Sequence, residues 1–404
     1  MYPDLKYWVW LTIAYGPANA RKWNFVSHYA SVKHAYECVL SGDFRYVLPQ
    51  DIRNVQSASL GMAEKLIEYC IKNGISIYCF DDEHYPKRLH EIYNPPSVLF
   101  VRGNIDGIDD SVVIAAVGTR RPSEYSVSVS TKIIKELSSA GVMITSGFAD
   151  GLDTLALMAC HSSGGRAIAC LPCGLNRDYP KDSARNRAML CEGGAVISEF
   201  FPDDGLSAAS FRARNRVISG ISLGTVILQA GEGSGALSTA SFAVAQGKDL
   251  FCVPPHELYN SSYSGVIPLL RDGAIPVFDA RDILNEYYSV YAHRLNFSSD
   301  IYGPKSEHGL FAKPDESKPL KPAKTSEKKS IRRIDKANTV KQDIIDLPEN
   351  KRHIIEYIEK NVVVVFDEIA AEFPCEQEMD VILSEMELEG LIQSLSGNRY
   401  TISK

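Results

Sequence analysis

Val112-Val113-Ile114-Ala115-Ala116-Val117-Gly118-Thr119-Arg120-Arg121-Pro122-Ser123 is the stretch on which the reading of the fold turns. An unbroken run of β-branched and small apolar residues, followed at once by glycine, is the pattern of a strand buried on both faces that ends in a tight loop. The pattern recurs at Val142-Met143-Ile144-Thr145, Ala167-Ile168-Ala169-Cys170-Leu171, Ala195-Val196-Ile197-Ser198, Thr225-Val226-Ile227-Leu228 and Leu250-Phe251-Cys252-Val253. Helix-length stretches separate the runs, which predicts an α/β core: a parallel sheet with helices on both faces. In such sheets ligands bind beyond the carboxyl ends of the strands, so the residues just after each run carry the chemistry.

After the first run, Gly118 permits a sharp turn, Arg120 and Arg121 bring two guanidinium groups, and Ser123 is a natural N-cap for the helix that follows. A helix N-terminus and two arginines aimed at one spot suit a phosphate. The second run leads into Ser146-Gly147-Phe148-Ala149-Asp150-Gly151-Leu152-Asp153, where Ser146 and Gly147 are small enough for a close backbone approach. Asp153 reads as a complement to a helix dipole rather than as a catalytic acid. The fourth run leads to Arg212-Ala213-Arg214-Asn215-Arg216, whose cations meet either anionic ligand or acids such as Glu199. The fifth leads to Gly231-Glu232-Gly233-Ser234-Gly235, a second glycine-rich loop running into a helix. The loop after the first run is not a Gly-x-Gly-x-x-Gly fingerprint, the second run ends in Ser146-Gly147 with no ribose-binding acid, and the Gly-Lys-Ser/Thr signature is missing, which argues against classical NAD enzymes and P-loop nucleotidases.

Outside the core, residues 1–80 read as a small helical domain, in which Tyr15-Gly16-Pro17 before Arg21-Lys22 is a faint helix-hairpin-helix signal. The core is expected over 81–295. Residues 296–348 shift to Lys, Pro, Ser and Glu and read as a flexible basic linker. Residues 349–404 return to amphipathic periodicity and close on Gly397-Asn398 as a hairpin turn, predicting a winged helix. Its candidate recognition helix, about 380–391, carries Asp380, Glu385, Glu387 and Glu389, a poor surface for duplex DNA.

The chain has 404 residues and a formal net charge of -7, so any polyanion site must be a local concentration of cations. Nine scattered cysteines and the lack of both a membrane-length apolar run and a leader-like N-terminus predict a cytoplasmic protein with no membrane contact. Cys170 and Cys173 form a Cys-x-x-Cys, but at the end of an apolar run they read as small buried hydrophobes rather than a redox pair or half of a metal site. Neither a metal nor a cofactor is expected.

Taken in order, Val117–Arg120, Ser146–Asp153, Gly174–Pro180, Ile197–Glu199, Arg214–Arg216 and Ser234–Ala240 resemble the motifs of the DNA-processing protein A (Smf) family. The resemblance extends upstream to His84-Tyr85-Pro86 and downstream to Glu385–Ile392. The chain departs from the family pattern at Leu157, where the family has His, at Arg212 in place of a Pro, at Gln229 in place of an acid, and at Pro255 in place of a Gly; Asp150 also sits in a loop that would better suit a neutral or basic residue. The resemblance implies a Rossmann-like core, single-stranded DNA binding in a basic pocket, self-association as a homodimer, delivery of DNA to the recombinase RecA during transformation, and no catalysis.

The expected nucleic-acid-binding set is Gly118, Thr119, Arg120, Arg121, Ser146, Gly147, Arg214, Asn215, Arg216, Ser234, Gly235 and Lys248, with the arginines and Lys248 neutralising phosphates. Two other readings stand beside it: a phosphoribohydrolase-like enzyme on a related fold, which would release base from a nucleoside monophosphate, and a protein adaptor without salt-sensitive DNA affinity.

Overall fold

The computed structural model describes residues 2–296, then 349–361 and short stretches between 364 and 402. The chain divides into two compact units, Met1–Ala312 and Lys313–Lys404.

The first unit opens with α1 (Leu5–Tyr15), α2 (Arg21–Val26), α3 (Val32–Leu40), α4 (Ile52–Ser57) and α5 (Leu60–Lys72). Local chemistry sets their ends: Ser31 and Ser59 cap α3 and α5 by accepting the N–H groups of His34 and Met62. In α5 the buried residues Ala63, Ile67 and Cys70 fall on one helical stripe. The stripe packs against α1, whose Trp8 lies 5.6 Å from both the Trp23 and Phe80 rings. The segment 1–80 gives its last residues, Ser76–Cys79, to the central sheet, and its helices share a continuous hydrophobic cluster with one face of that sheet.

The strands are β1 (Ser76–Cys79), β2 (Val98–Gly103), β3 (Val113–Gly118), β4 (Met143–Ser146), β5 (Ala167–Cys170), β6 (Ala195–Ser198), β7 (Gly224–Gln229), β8 (Asp249–Cys252) and β9 (Ile275–Pro276). They lie in the order β1-β2-β6-β5-β4-β3-β7-β8-β9. Every strand expected from an apolar run is present, and β3 to β9 pair in parallel. The sheet is nevertheless mixed, because β1 and β2 add an antiparallel edge beside β6.

Pleating sends alternate residues of β3 to opposite faces. Ile114 and Ala116 join the cluster formed with α7 (Glu124–Ser139) and α8 (Leu152–Ser162), after the short α6 (Lys87–His90). Val113, Ala115 and Val117 join the cluster on the other face. That face is covered by α10 (Ala208–Ile221) and α11 (Gly235–Ala245), while α9 (Ala184–Gly193) precedes β6. The unit closes with α12 (Val266–Arg271) and α13 (Ala280–Tyr291). From β3 the chain winds outward one way through β4, β5 and β6, then crosses back to place β7 on the other side of β3. The carboxyl ends of β3 and β7 therefore flank the topological switch point, where open α/β sheets bind ligands.

In the second unit, α14 (Glu349–Asn361) accompanies a small antiparallel sheet of β10 (Val364–Val365), β11 (Ile392–Leu395) and β12 (Arg399–Ile402). Ile354, Ile358, Leu383 and Met386 form its core. The expected turn at Gly397-Asn398, the acids Asp380, Glu385, Glu387 and Glu389, and the linker 297–348 lie outside the described residues. Among the described residues no helix is long and apolar enough to cross a membrane. Cys170 and Cys173 are both buried and unpaired.

Candidate nucleic-acid interface

A cleft of about 490 Å³ opens at the switch point. Its walls are the loop after β3, the loop after β7, the start of α8 and one side of α10, with Ser262 entering from the chain beyond β8. The loop after β3 is held from below: Thr119 N–H donates to the Gln229 carbonyl at 2.9 Å, and Leu152 N–H to the Thr119 carbonyl. Gly151, at φ +86°, passes so close to Thr119 and Arg120 that any side chain there would strike their backbone. Ser123 caps α7 by accepting Ser126 N–H, and its own N–H donates to the Gln229 side-chain oxygen at 3.0 Å. An amide at position 229 thus ties the two loops of the cleft together, a role for which no acid is required.

Arg120 and Arg121 are exposed on this loop, and among the described residues neither makes an ion pair. The Arg120 guanidinium lies 5.5 Å from the Phe211 ring centre, which positions it without neutralising it. Phe211 in turn packs edge-on against Tyr179 at 5.7 Å. Opposite, Ser234 caps α11 by accepting the Ala236 N–H on its hydroxyl and the Leu237 N–H on its carbonyl, which leaves the Gly235 N–H at the positive end of the helix. Asn215 reaches across to the Gly235 carbonyl at 3.4 Å. Glu232 contributes one negative charge to the lining.

Arg214 also borders the cleft, but it is buried and already engaged. It donates to the carbonyls of Gly147 and Cys170, and it faces the buried Asp153. Burial raises the Asp153 pKa above the ordinary carboxylate range, while Arg214 and the N–H groups of Gly118, Ala149 and Gly147 oppose that rise. Asp153 Oδ1 accepts Gly118 N–H at 3.1 Å, so that N–H is not available to a ligand. Leu157, one turn along α8, is fully buried in the core.

The structure brings Gly118, Thr119, Arg120, Arg121, Arg214, Asn215, Ser234 and Gly235 to one cleft and leaves four expected residues out of it. Ser146 is buried, with its hydroxyl donating to the Ala116 carbonyl. Gly147 is packed beneath the Arg214 guanidinium and Asp153, so its lack of a side chain makes room for that arginine, not for a ligand. Arg216 is buried in an ion pair with Glu199. Lys248 precedes β8 and therefore stands at the amino edge of the sheet, opposite the cleft, near Glu91 and Asp249. Asp150 is exposed in the turn before α8, beside the Gly151 that packs on the Thr119–Arg120 backbone, and lines a separate groove with Thr131 and Thr154. Conversely, Phe211, Tyr179 and Ser262 were not in the expected set. Phe211 was visible beside the arginines, whereas Ser262 arrives only through the tertiary fold, beside Tyr263, whose hydroxyl meets that of Ser123 at 2.7 Å.

A layer of buried charge lies behind the cleft. Lys22 of α2 is 1% exposed and sits within electrostatic reach of the Glu199–Arg216 pair. Burial lowers its pKa to about 8, with Arg216 reinforcing and Glu199 opposing the shift. The unfolded chain therefore holds this proton up to a higher pH than the folded one, so Lys22 costs stability below pH 8 and the cost fades as pH rises through the window from 8 to 10.5. Lys22→Met is expected to raise stability at neutral pH by about 1–2 kcal/mol, an advantage that shrinks toward pH ~10. Urea unfolding at the two pH values measures it, and a loss of stability at neutral pH would contradict the assignment.

Comparisons with known proteins bear on the family and the fold. The model of the DNA recombination-mediator protein A family matches residues 76–288, the span from β1 to α13. The chain is 34% identical over 215 residues to the DNA processing protein DprA of Bacillus subtilis (strain 168), covering 53% of this chain and 72% of that protein. It is 36% identical over 206 residues to the DprA of Streptococcus pneumoniae (strain ATCC BAA-255 / R6), covering 51% and 72%. The X-ray structure of DNA processing protein A from Streptococcus pneumoniae superposes with a TM-score of 0.54 at 27% identity, over 72% of this chain and 97% of that one. With more than half of the chain matched and the β3 and β7 loops inside the matched span, the chain belongs to the DNA recombination-mediator protein A family.

Proposed function

We propose that this protein binds single-stranded DNA without regard to sequence at the β3–β7 cleft, and that it passes the strand to the recombinase RecA as a cytoplasmic homodimer. The observation that carries the DNA reading is the pair Arg120 and Arg121: two exposed guanidinium groups without acid partners among the described residues, beside the N-termini of α7 and α11. Cations and backbone N–H groups recognise phosphate, which every nucleotide carries, so the chemistry favours backbone tracking over base readout. Membership of a recombination-mediator family supports the same reading.

A mobility-shift titration with single- and double-stranded oligonucleotides at several salt concentrations tests it. Single strands are expected to bind more tightly, with log K falling against log salt at a slope of about -1.4 or steeper, two phosphates' worth. Absence of salt-sensitive binding would leave the adaptor reading standing. The enzyme reading finds little support in the cleft, where Asp153 is held by Gly118 and Arg214, Gln229 by Ser123, and Leu157 has no proton to give. Incubation with nucleoside monophosphates is expected to release no base.

A further inference from the structure

A second cleft, of about 890 Å³, lies on the other side of the loop that follows β5. It is bounded by Asn73-Gly74 after α5, the end of β2, the loop itself and one side of α9. Arg102, Arg177 and Arg187 line it together with two acids, Asp178 and Asp182. Among the described residues none of the three arginines makes an ion pair.

Their hydrogen bonds go to neutral groups. Arg102 donates to the Leu175 carbonyl at 3.0 Å and to the Asn176 side chain at 2.9 Å. Arg187 donates to the carbonyls of Leu175 and Arg177, and Arg177 to the Asp203 carbonyl at 2.7 Å. These bonds brace the loop without pairing any of the three guanidinium groups to a carboxylate, although Asp178 acts on Arg187 from a distance, so three cations face two acids in the cleft. Half-buried Arg187 has its pKa lowered first by burial and next by the Arg102 guanidinium, the result of holding two cations close together. An anion in the cleft relieves that repulsion.

The same loop also borders the first cleft, since Tyr179 packs on Phe211 and stands two residues from Arg177, at most about 7 Å of extended backbone. Among the described residues no aromatic side chain lines the second cleft, so they offer no stacking surface for a free base. We infer that a strand held at the β3–β7 cleft continues across the Gly174–Asp182 loop into this second cleft, where Arg102, Arg177 and Arg187 face further phosphates. The inference rests on the single-strand reading of the first cleft.

Because the arginines brace the loop, the cleanest test adds charge rather than removing it. Ala188 is exposed on α9 and lines the cleft, so Ala188→Glu places a carboxylate there with the arginines intact. Full-length protein is titrated with oligothymidylates of about 25 and about six nucleotides, lengths that exceed and fit a single site. Ala188→Glu is expected to weaken the longer oligonucleotide about fivefold, and Arg177→Gln to lower its salt slope by about 0.7, while neither changes the shorter one beyond twofold or so. Arg120→Ala weakens both lengths. An equal effect of Ala188→Glu on both lengths, or none on the longer one with folding intact by circular dichroism, overturns the second cleft and leaves the first untouched. Binding of thymidine monophosphate that is abolished by Ala188→Glu without a length effect overturns it in favour of a separate small-anion site. Failure of the unaltered protein to bind either length removes both readings.

Discussion

Replacing Arg120 and Arg121 together by alanine is expected to weaken single-stranded DNA binding about a hundredfold at moderate salt and to flatten the slope of log K against log salt by about 1.4. The reasoning is local. Both side chains are exposed, among the described residues neither pairs with an acid, and Arg120 lies over the face of Phe211. Their removal costs the fold little, within about 0.5 kcal/mol for each surface position. Arg120→Ala alone gives half the slope change, about 0.7, across all sequences tested. Had Arg120 been tied to Glu199, its loss would lower the melting temperature and leave the slope alone; the pairing of Glu199 with Arg216 instead makes the opposite pattern the expected one. Melting temperature and salt-dependent affinity measured on the same variants distinguish the two, and an unchanged slope with intact folding would remove the β3 loop from the interface.

Glu199→Ala is expected to destabilise the protein by about 3–5 kcal/mol, the usual penalty for stranding a buried charge. Glu199 and Arg216 are each 4% exposed, and Lys22 lies in the same layer. Without the carboxylate, two buried cations face one another with no anion between them. Glu199→Gln keeps a hydrogen-bond acceptor for Arg216 and is expected to lose less. Urea unfolding of the three proteins gives the comparison, and a loss below about 1 kcal/mol for the alanine variant would show that the layer is hydrated or rearranges. The folded fraction of Glu199→Ala should keep the salt slope of the unaltered protein, because Arg216 points away from the cleft that Arg120 occupies.

Arg214 and Arg216 stand two residues apart and meet different partners. Both belong to one run of arginines after a strand, and both were expected to meet phosphate. On a helix, residues two apart point about 200° away from each other. Arg214 therefore reaches the cleft and Asp153, while Arg216 turns to Glu199 and the N-terminal helices. Lys248 shows a second kind of loss. It lies next to a strand, but at the strand's beginning, and in a parallel sheet that is the edge opposite the ligand. Ser146 and Gly147 show a third, for small residues serve close packing as readily as ligand approach. Gly147 is small because Arg214 crosses over it.

The sequence by itself determined the α/β class, the parallel strands and the loops of the cleft. Strands buried on both faces must be apolar throughout, and the glycines and cations that follow them are local features that survive in one dimension. The antiparallel edge of β1 and β2, the engagement of Arg214 and Arg216 with Asp153 and Glu199, the arrival of Ser262, and the second cleft around Arg102, Arg177 and Arg187 were decided only by the tertiary structure. Those features join residues far apart in the chain, and which charge meets which is set by the direction a side chain takes from its helix or strand. Neither composition nor spacing records that direction.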